Sequence, residues 1–79
     1  MMSMSSASNF INQTLYEVIS PYEIEKAKDR RKYVSLWQNA QTTETIALKN
    51  FDDDYLLAES ISTEDVLKTE GWIALWYND

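Results

Sequence analysis

The stretch GWIALWY at residues 71–77 is the clearest structural signal in this sequence. Its glycine favours the left-handed conformation that ends many helices. The six residues after it, Trp72–Tyr77, are apolar or aromatic and include neither a charge nor a proline, so they predict a β-strand. Regular alternation would place residues 72, 74 and 76 on one face and residues 73, 75 and 77 on the other. Both faces are apolar, which is typical of a two-sided core or of a surface that a partner or a second copy covers.

The residues before this strand predict a short helix and two further strands. Residues 62–65 (STED) have the composition of a helix start, and that helix would end at Gly71. Residues 43–48 and 55–61 are short apolar-rich runs that predict strands, and a helix over residues 43–48 stays open as an alternative. Residues 50–54, with three consecutive aspartates, have the composition of the turn between them.

The N-terminal part of the chain carries helical signals instead. Ser8 is a suitable N-cap for a helix over residues 9–19, whose apolar side chains recur at the spacing of one helix face. The same residues from 14 to 19 also fit a strand, and this alternative stays open.

A second helix is predicted over residues 21–39. Serine at position 20 suits the N-cap, Pro21 suits the first helical position, and Glu23 can close a capping box. Between residues 25 and 32, however, Ala27 is the only apolar residue, so this part of the helix would have little to bury. A strand over residues 33–37 is the alternative for the C-terminal part.

The predicted order of elements is α-α-β-β-α-β. We therefore expect an α+β domain in which two N-terminal helices accompany a small antiparallel sheet, with a short helix before the last strand. One glycine and one proline in 79 residues leave few positions for tight turns, so an all-α fold is the alternative. Residues 1–8 predict a disordered tail and residues 9–79 a single small domain.

Composition excludes several kinds of site. The chain has neither cysteine nor histidine, so it lacks disulfides and the usual ligands of zinc, haem and copper, and we expect no cofactor. No apolar run approaches the roughly 20 residues that cross a bilayer. Residues 1–8 lack the charged and apolar regions of a signal peptide. These features predict a cytoplasmic protein that does not enter a membrane.

Motifs for catalysis and for metal binding are also missing from the sequence. Without histidine and cysteine, the commonest arrangements for proton transfer and nucleophilic attack cannot form, and we expect that the chain is not an enzyme. The consecutive residues Asp52, Asp53 and Asp54 do not match a calcium loop, because their side chains cannot all point one way and the turn glycine is missing. We interpret them as a solvated turn or a helix N-cap.

Charge is divided unevenly along the chain. Residues 1–40 carry five cations and four anions, whereas residues 41–79 carry nine anions and two cations. The cations cluster at residues 26–32, but the acids among them and a pI near 4.4 oppose direct binding to nucleic acid. The acidic half instead predicts a surface that attracts a basic partner by electrostatic steering.

We expect acids of this half and tryptophans to form the binding surface together, because tryptophan is common among the dominant contacts of interfaces. The candidate partner-binding residues are Asp52, Asp53, Asp54, Glu59, Glu64, Asp65, Trp37, Trp72 and Trp76. The expected partner is a larger protein, or a protein–nucleic-acid complex, with a basic surface. Self-association into a homodimer stays open.

In general profile the chain resembles phage-encoded inhibitors such as anti-CRISPR and anti-restriction proteins: it is short, single-domain, acidic and free of cysteine and of catalytic motifs. The likeness is one of class and rests on no motif. It implies a non-enzymatic inhibitor or regulator that acts as a DNA mimic and covers a basic nucleic-acid-binding surface of a larger complex. The alternative function is a small structural or adaptor subunit that oligomerises through its aromatic C-terminal strand.

Overall fold

The computed structural model describes residues 11–79, and in this part of the chain one sheet carries a helix on each side. The strands are β1 (Tyr16–Ile19), β2 (Tyr33–Asn39), β3 (Thr45–Lys49) and β4 (Trp72–Tyr77). They lie in the order β1-β3-β2-β4, and each neighbouring pair is antiparallel. The helices are α1 (Ile24–Asp29) and α2 (Asp54–Thr69), and 3-10 turns cover Gln13–Leu15 and Pro21–Glu23. The expected α+β class with a small antiparallel sheet is confirmed, and the all-α alternative is wrong. The predicted tail at residues 1–8 lies outside the described residues.

Two hydrophobic clusters, one on each face of the sheet, form the core. Adjacent residues of β2 point to opposite faces, so Trp37 lies in the cluster beneath α2 and Leu36 in the cluster beneath α1. On the α2 side the sheet packs against Leu67, which is fully buried. On the α1 side it packs against Ala27, the buried residue of that helix. The sheet therefore separates the two helices and the charges that they carry.

An extra residue in β4 changes which of its side chains share a face. The adjacent β2 residues Leu36 and Trp37 pair with Trp76 and Ala74, which leaves Leu75 as a bulge. A bulge interrupts the alternation of side chains along a strand. Trp76 consequently packs against the cluster on the α1 side, whereas Ala74 packs against the cluster on the α2 side. The expectation that residues 72, 74 and 76 share one face is therefore wrong.

Neither of the two predicted N-terminal helices extends as expected. The described part of residues 9–19 contains a 3-10 turn followed by β1, and the helix that begins near Pro21 ends at Asp29 before β2 starts. The strand alternatives at residues 14–19 and 33–37 thus correspond to β1 and β2. Short apolar runs fit both the helical and the strand period, and pairing with β3 decides between them.

The predicted strand at residues 55–61 is also wrong, because these residues belong to α2. The helix begins at Asp54, not at residue 62. Its buried positions are Ser60, Thr63 and Leu67, which lie at the spacing of one helix face. Two of these three residues are polar, so the sequence lacks the apolar stripe by which a helix is normally detected.

The C-terminal part of the chain follows the prediction closely. Gly71 follows Glu70, the C-cap of α2, and has a φ of 90°, which is the left-handed conformation that ends a helix. β4 has the predicted bounds. The predicted strand at residues 43–48 corresponds to β3, which is shifted by one to two residues.

Candidate protein-binding surface

Most acids of the C-terminal half lie along α2 or beside its ends. Residues 52–70 hold seven of the thirteen acids of the chain and a single lysine. The exposed members form what we call the α2 acidic surface, which consists of Asp52, Asp53, Asp54, Glu59, Asp65 and Glu70. The seventh acid, Glu64, is half-buried. The structure thus brings five of the six expected acids to one exposed segment.

The helical period arranges part of this surface in two rows. Asp54 and Asp65 are eleven residues apart in sequence, which is close to three helical turns, so they lie on one side of the helix. Glu59 and Glu70 have the same separation and lie on a different side. Each pair spans about 16 Å along the axis. Among the described residues, no group of three acids is arranged to hold a metal ion.

Asp53 has a structural role besides its charge. Its side chain accepts a hydrogen bond from the backbone N–H of Leu56 at 3.0 Å and so caps the N-terminus of α2. Loss of such a cap costs about 1 kcal/mol. The interpretation of the aspartate triplet as a helix N-cap is confirmed at Asp53. Reversing this charge would therefore disturb the fold together with any binding.

Glu64 connects α2 to the sheet. The hydroxyl of Ser35 donates a hydrogen bond to Oε2 of Glu64 at 3.0 Å and accepts one from the indole N–H of Trp37 at 2.8 Å. Ser35 is fully buried and Trp37 is 1% exposed. Because the Ser35 hydroxyl bonds to both neighbours, all three of these side chains have a hydrogen-bond partner. Two expected partner-binding residues, Glu64 and Trp37, are thus engaged inside the domain.

The three tryptophans lie at different depths. Trp37 and Trp72 are buried in the cluster on the α2 side. Trp76 is half-buried and packs against the cluster on the α1 side. Of the three expected aromatic anchors, Trp76 is the one that a docked partner can contact without opening the core.

The most exposed apolar side chains of β4 are residues that we did not expect at the site. β4 lies at one edge of the sheet, and Ile73, Leu75 and Tyr77 are 54%, 37% and 44% exposed. The ring of Tyr77 also meets the ring of Trp37 edge-on, with centroids 6.0 Å apart. The sequence signal for these exposed residues was that both faces of the predicted strand are apolar. The choice between tryptophans and their neighbours depends on the edge position and the bulge, which the sequence does not reveal.

The cations of residues 26–32 lie on the α1 side of the sheet. Lys28 pairs with Glu25 at 3.0 Å, within α1. Lys26, Arg30 and Lys32 line a cleft of about 140 Å³. The ammonium group of Lys32 lies 5.6 Å from the ring centre of Tyr33. Cations and acids alternate here, in contrast to the α2 acidic surface.

Glu17 and Tyr33 also line this cleft and are hydrogen-bonded to each other. The hydroxyl of Tyr33 donates a hydrogen bond to Glu17 at 2.5 Å, which lowers the pKa of Glu17 against the opposing effect of burial. Lys32 and Lys49, at 3.5 Å and 3.9 Å from the carboxylate, lower this pKa further. Burial, and then the hydrogen bond to Glu17, raises the pKa of Tyr33 to about 12. Both pKa values move away from neutrality, so neither group is suited to proton transfer at neutral pH.

Neither helix in the described part of the chain is long and apolar enough to cross a membrane. Comparisons of the chain with models of protein families, with curated proteins and with solved structures found no match. The functional proposal therefore rests on the geometry and charge of the chain itself.

Proposed function

We propose that this chain is a non-enzymatic protein-binding module, an inhibitor or regulator that covers a basic nucleic-acid-binding surface of a larger complex. The observation that carries the proposal is the separation of charge by the sheet. The α2 acidic surface lies on one side, and the cations of residues 26–32 lie on the other. A partner that approaches α2 meets carboxylates with one lysine, Lys68, among them. Such a field attracts a basic surface and competes with phosphate for it.

The dimensions of α2 suit a groove that holds nucleic acid. A helix of 16 residues is about 24 Å long, and its diameter with side chains is about 10–12 Å. The two rows of carboxylates, Asp54 with Asp65 and Glu59 with Glu70, place negative charge on two sides of this rod. A basic groove can contact both rows, as it contacts the phosphates of a nucleic acid. This arrangement supports a DNA-mimic mode of inhibition.

Two properties support a role without catalysis. The chain has neither histidine nor cysteine. The two groups with shifted pKa values, Glu17 and Tyr33, keep a carboxylate and a neutral phenol at neutral pH. Binding is therefore the function that the surface chemistry favours.

The experiment that tests the proposal is a capture from lysate with the tagged chain at about 50 mM and about 500 mM salt. We expect nucleic-acid-binding proteins to be captured at low salt and released by high salt or by added duplex DNA. The matched bait is the double variant Glu59→Lys/Asp65→Lys, which reverses two exposed acids and leaves the cap at Asp53 intact. Equal capture by both baits, or capture that nucleic acid does not displace, would contradict the proposal.

A second candidate function, an adaptor subunit that self-associates, is favoured by the exposed apolar edge of β4. It predicts a dimer in light scattering that becomes a monomer in Ile73→Glu, while Glu59→Lys/Asp65→Lys stays dimeric. Ile73 is a better test position than Trp76, because Trp76 packs against the core and its loss would also destabilise the fold. A wild-type chain that is monomeric at high concentration would exclude this candidate.

A further inference from the structure

The two edges of the sheet are protected to different degrees against pairing with another strand. β1 has four residues and includes the charged residue Glu17, whose carboxylate forms ion pairs with Lys32 and Lys49. β4 has six residues with no charge and no proline, and the bulge at Leu75 is its one protective feature. Charged or very short edges resist strand addition, whereas a longer apolar edge invites it.

Acids stand at both ends of β4. Glu70 precedes the strand by two residues and Asp79 follows it by two, and both are exposed. Glu70 also belongs to the α2 acidic surface, so one end of the β4 edge borders that surface. The occupant that complements this edge is apolar in its centre and basic at its ends.

The same charges disfavour a second copy as the occupant. Antiparallel pairing of β4 with itself, with Trp72 opposite Tyr77, places Glu70 of one copy opposite Asp79 of the other at both ends. Like charges that face each other across strands are destabilising. An extended segment with Lys or Arg at its ends instead finds a carboxylate at each end.

We infer that the edge of β4 binds an extended segment of the partner, apolar at alternate positions and flanked by Lys or Arg, as a fifth strand of the sheet. This inference rests on the proposed function, because the partner whose basic surface meets α2 supplies the segment. Attraction by the α2 acidic surface brings the partner in. Backbone hydrogen bonds to β4 and contacts with Ile73, Leu75 and Tyr77 then hold the segment and select its sequence.

The test uses two synthetic peptides, KKVTVTVKK and EEVTVTVEE, labelled for fluorescence anisotropy. We expect the basic peptide to bind the wild-type chain at least about tenfold more tightly than the acidic peptide. Its binding should protect backbone amides of β4 from hydrogen exchange. The decisive variant is Ile73→Glu: attraction by charge alone would strengthen binding of the basic peptide, whereas strand addition predicts a loss of about tenfold, because a charge then faces the apolar centre of the peptide.

Val18→Glu is the matched control. Val18 is 60% exposed on the opposite edge strand, β1, and the substitution changes the net charge by the same amount. We expect its affinity for the basic peptide to change less than about twofold, since β1 is not the docking edge.

The outcomes distinguish this inference from the proposed function. If Ile73→Glu binds the basic peptide at least as tightly as the wild type, or if protection falls on α2 alone, strand addition is wrong and the acidic binding module stands. If Glu59→Lys/Asp65→Lys also leaves binding of the basic peptide unchanged, the proposed function fails with it. A wild-type dimer that Ile73→Glu dissociates would overturn the inference in favour of a second copy.

Discussion

The hydrogen-bond chain beneath α2 leads to a quantitative prediction for Ser35→Ala. In this variant the buried indole N–H of Trp37 loses its acceptor, and Glu64 loses its donor. An unsatisfied buried donor costs about 1–3 kcal/mol, and the lost hydrogen bond to the carboxylate adds about 1 kcal/mol, because the half-buried Glu64 can turn to water. We expect the free energy of unfolding to fall by about 3 kcal/mol. In a domain of this size each kcal/mol lowers Tm by about 4–8 °C.

Ser60→Ala is the matched control for this prediction. Ser60 is also fully buried, but its hydroxyl makes one hydrogen bond, to the carbonyl of Lys49 at 2.8 Å. Its loss should cost about 1 kcal/mol in urea denaturation followed by circular dichroism. In a Trp37→Phe background the cost of Ser35→Ala should shrink, because the indole donor is already gone. Equal costs for the two serines, or an unchanged cost in that background, would show that the Ser35 hydroxyl does not satisfy the indole of Trp37.

Local features are tested by two further substitutions and by the dependence of stability on pH. Asp53→Ala should lose about 1 kcal/mol in urea denaturation because the N-cap is removed, whereas Asp52→Ala should lose less than about 0.5 kcal/mol; equal losses would contradict the capping role. Gly71→Ala should also lose about 1 kcal/mol, because alanine is strained at a φ of 90° although nothing lies within 4 Å of the added methyl group, and an unchanged Tm would contradict this. Thermal melts at different pH values should show that the stability of the fold decreases at both acidic and alkaline pH. The lowered pKa of Glu17 means that the unfolded chain takes up its proton first, so stability falls as pH drops below about 4.5. The raised pKa of Tyr33 means that the unfolded chain loses its proton first, so stability falls between pH 10 and about 12, and Tyr33→Phe should reduce this alkaline loss; an unchanged alkaline limit in that variant would contradict the assignment.

The sequence predicted the C-terminal end of the fold well because its signals are local. Gly71 marks the end of α2 without reference to any distant residue. The uncharged run of residues 72–77 fits a strand and is too short for a stable helix. Both features also identify the α+β class.

The rest of the fold depends on contacts between distant residues. Residues 33–39 become β2 because β3 and β4 pair with them on either side. The N-terminal half of α2 was missed because Ser60 and Thr63 occupy its buried face, and their hydroxyls donate to backbone carbonyls of Lys49 and Glu59. Polar groups can occupy a buried helix face when they find such acceptors, but the periodicity of apolar residues does not predict a face of this kind.

The acids were easier to place than the aromatic anchors. Charged side chains stay at the surface in most folds, and Asp54, Glu59 and Asp65 are exposed here as expected. The depth of a tryptophan depends on its strand and register. Trp37 lies on a central strand and is buried, while the bulge turns Trp76 to the α1 side. Residue type alone therefore could not select Ile73 over its tryptophan neighbours.

In the proposed function the α2 acidic surface, rather than net charge, recognises the basic partner. Two double variants separate these explanations: Glu59→Lys/Asp65→Lys lies on α2, and Glu23→Lys/Glu25→Lys lies on the opposite side of the sheet. Each changes the net charge from −6 to −2.

The measurement is the association rate constant with the partner captured at low salt, by surface plasmon resonance, after circular dichroism has verified that both variants fold. We predict a fall of at least about tenfold for the α2 variant and of less than about threefold for the other. Equal rate constants for the two variants, or a wild-type rate constant for the α2 variant, would contradict recognition of the partner through the α2 acidic surface.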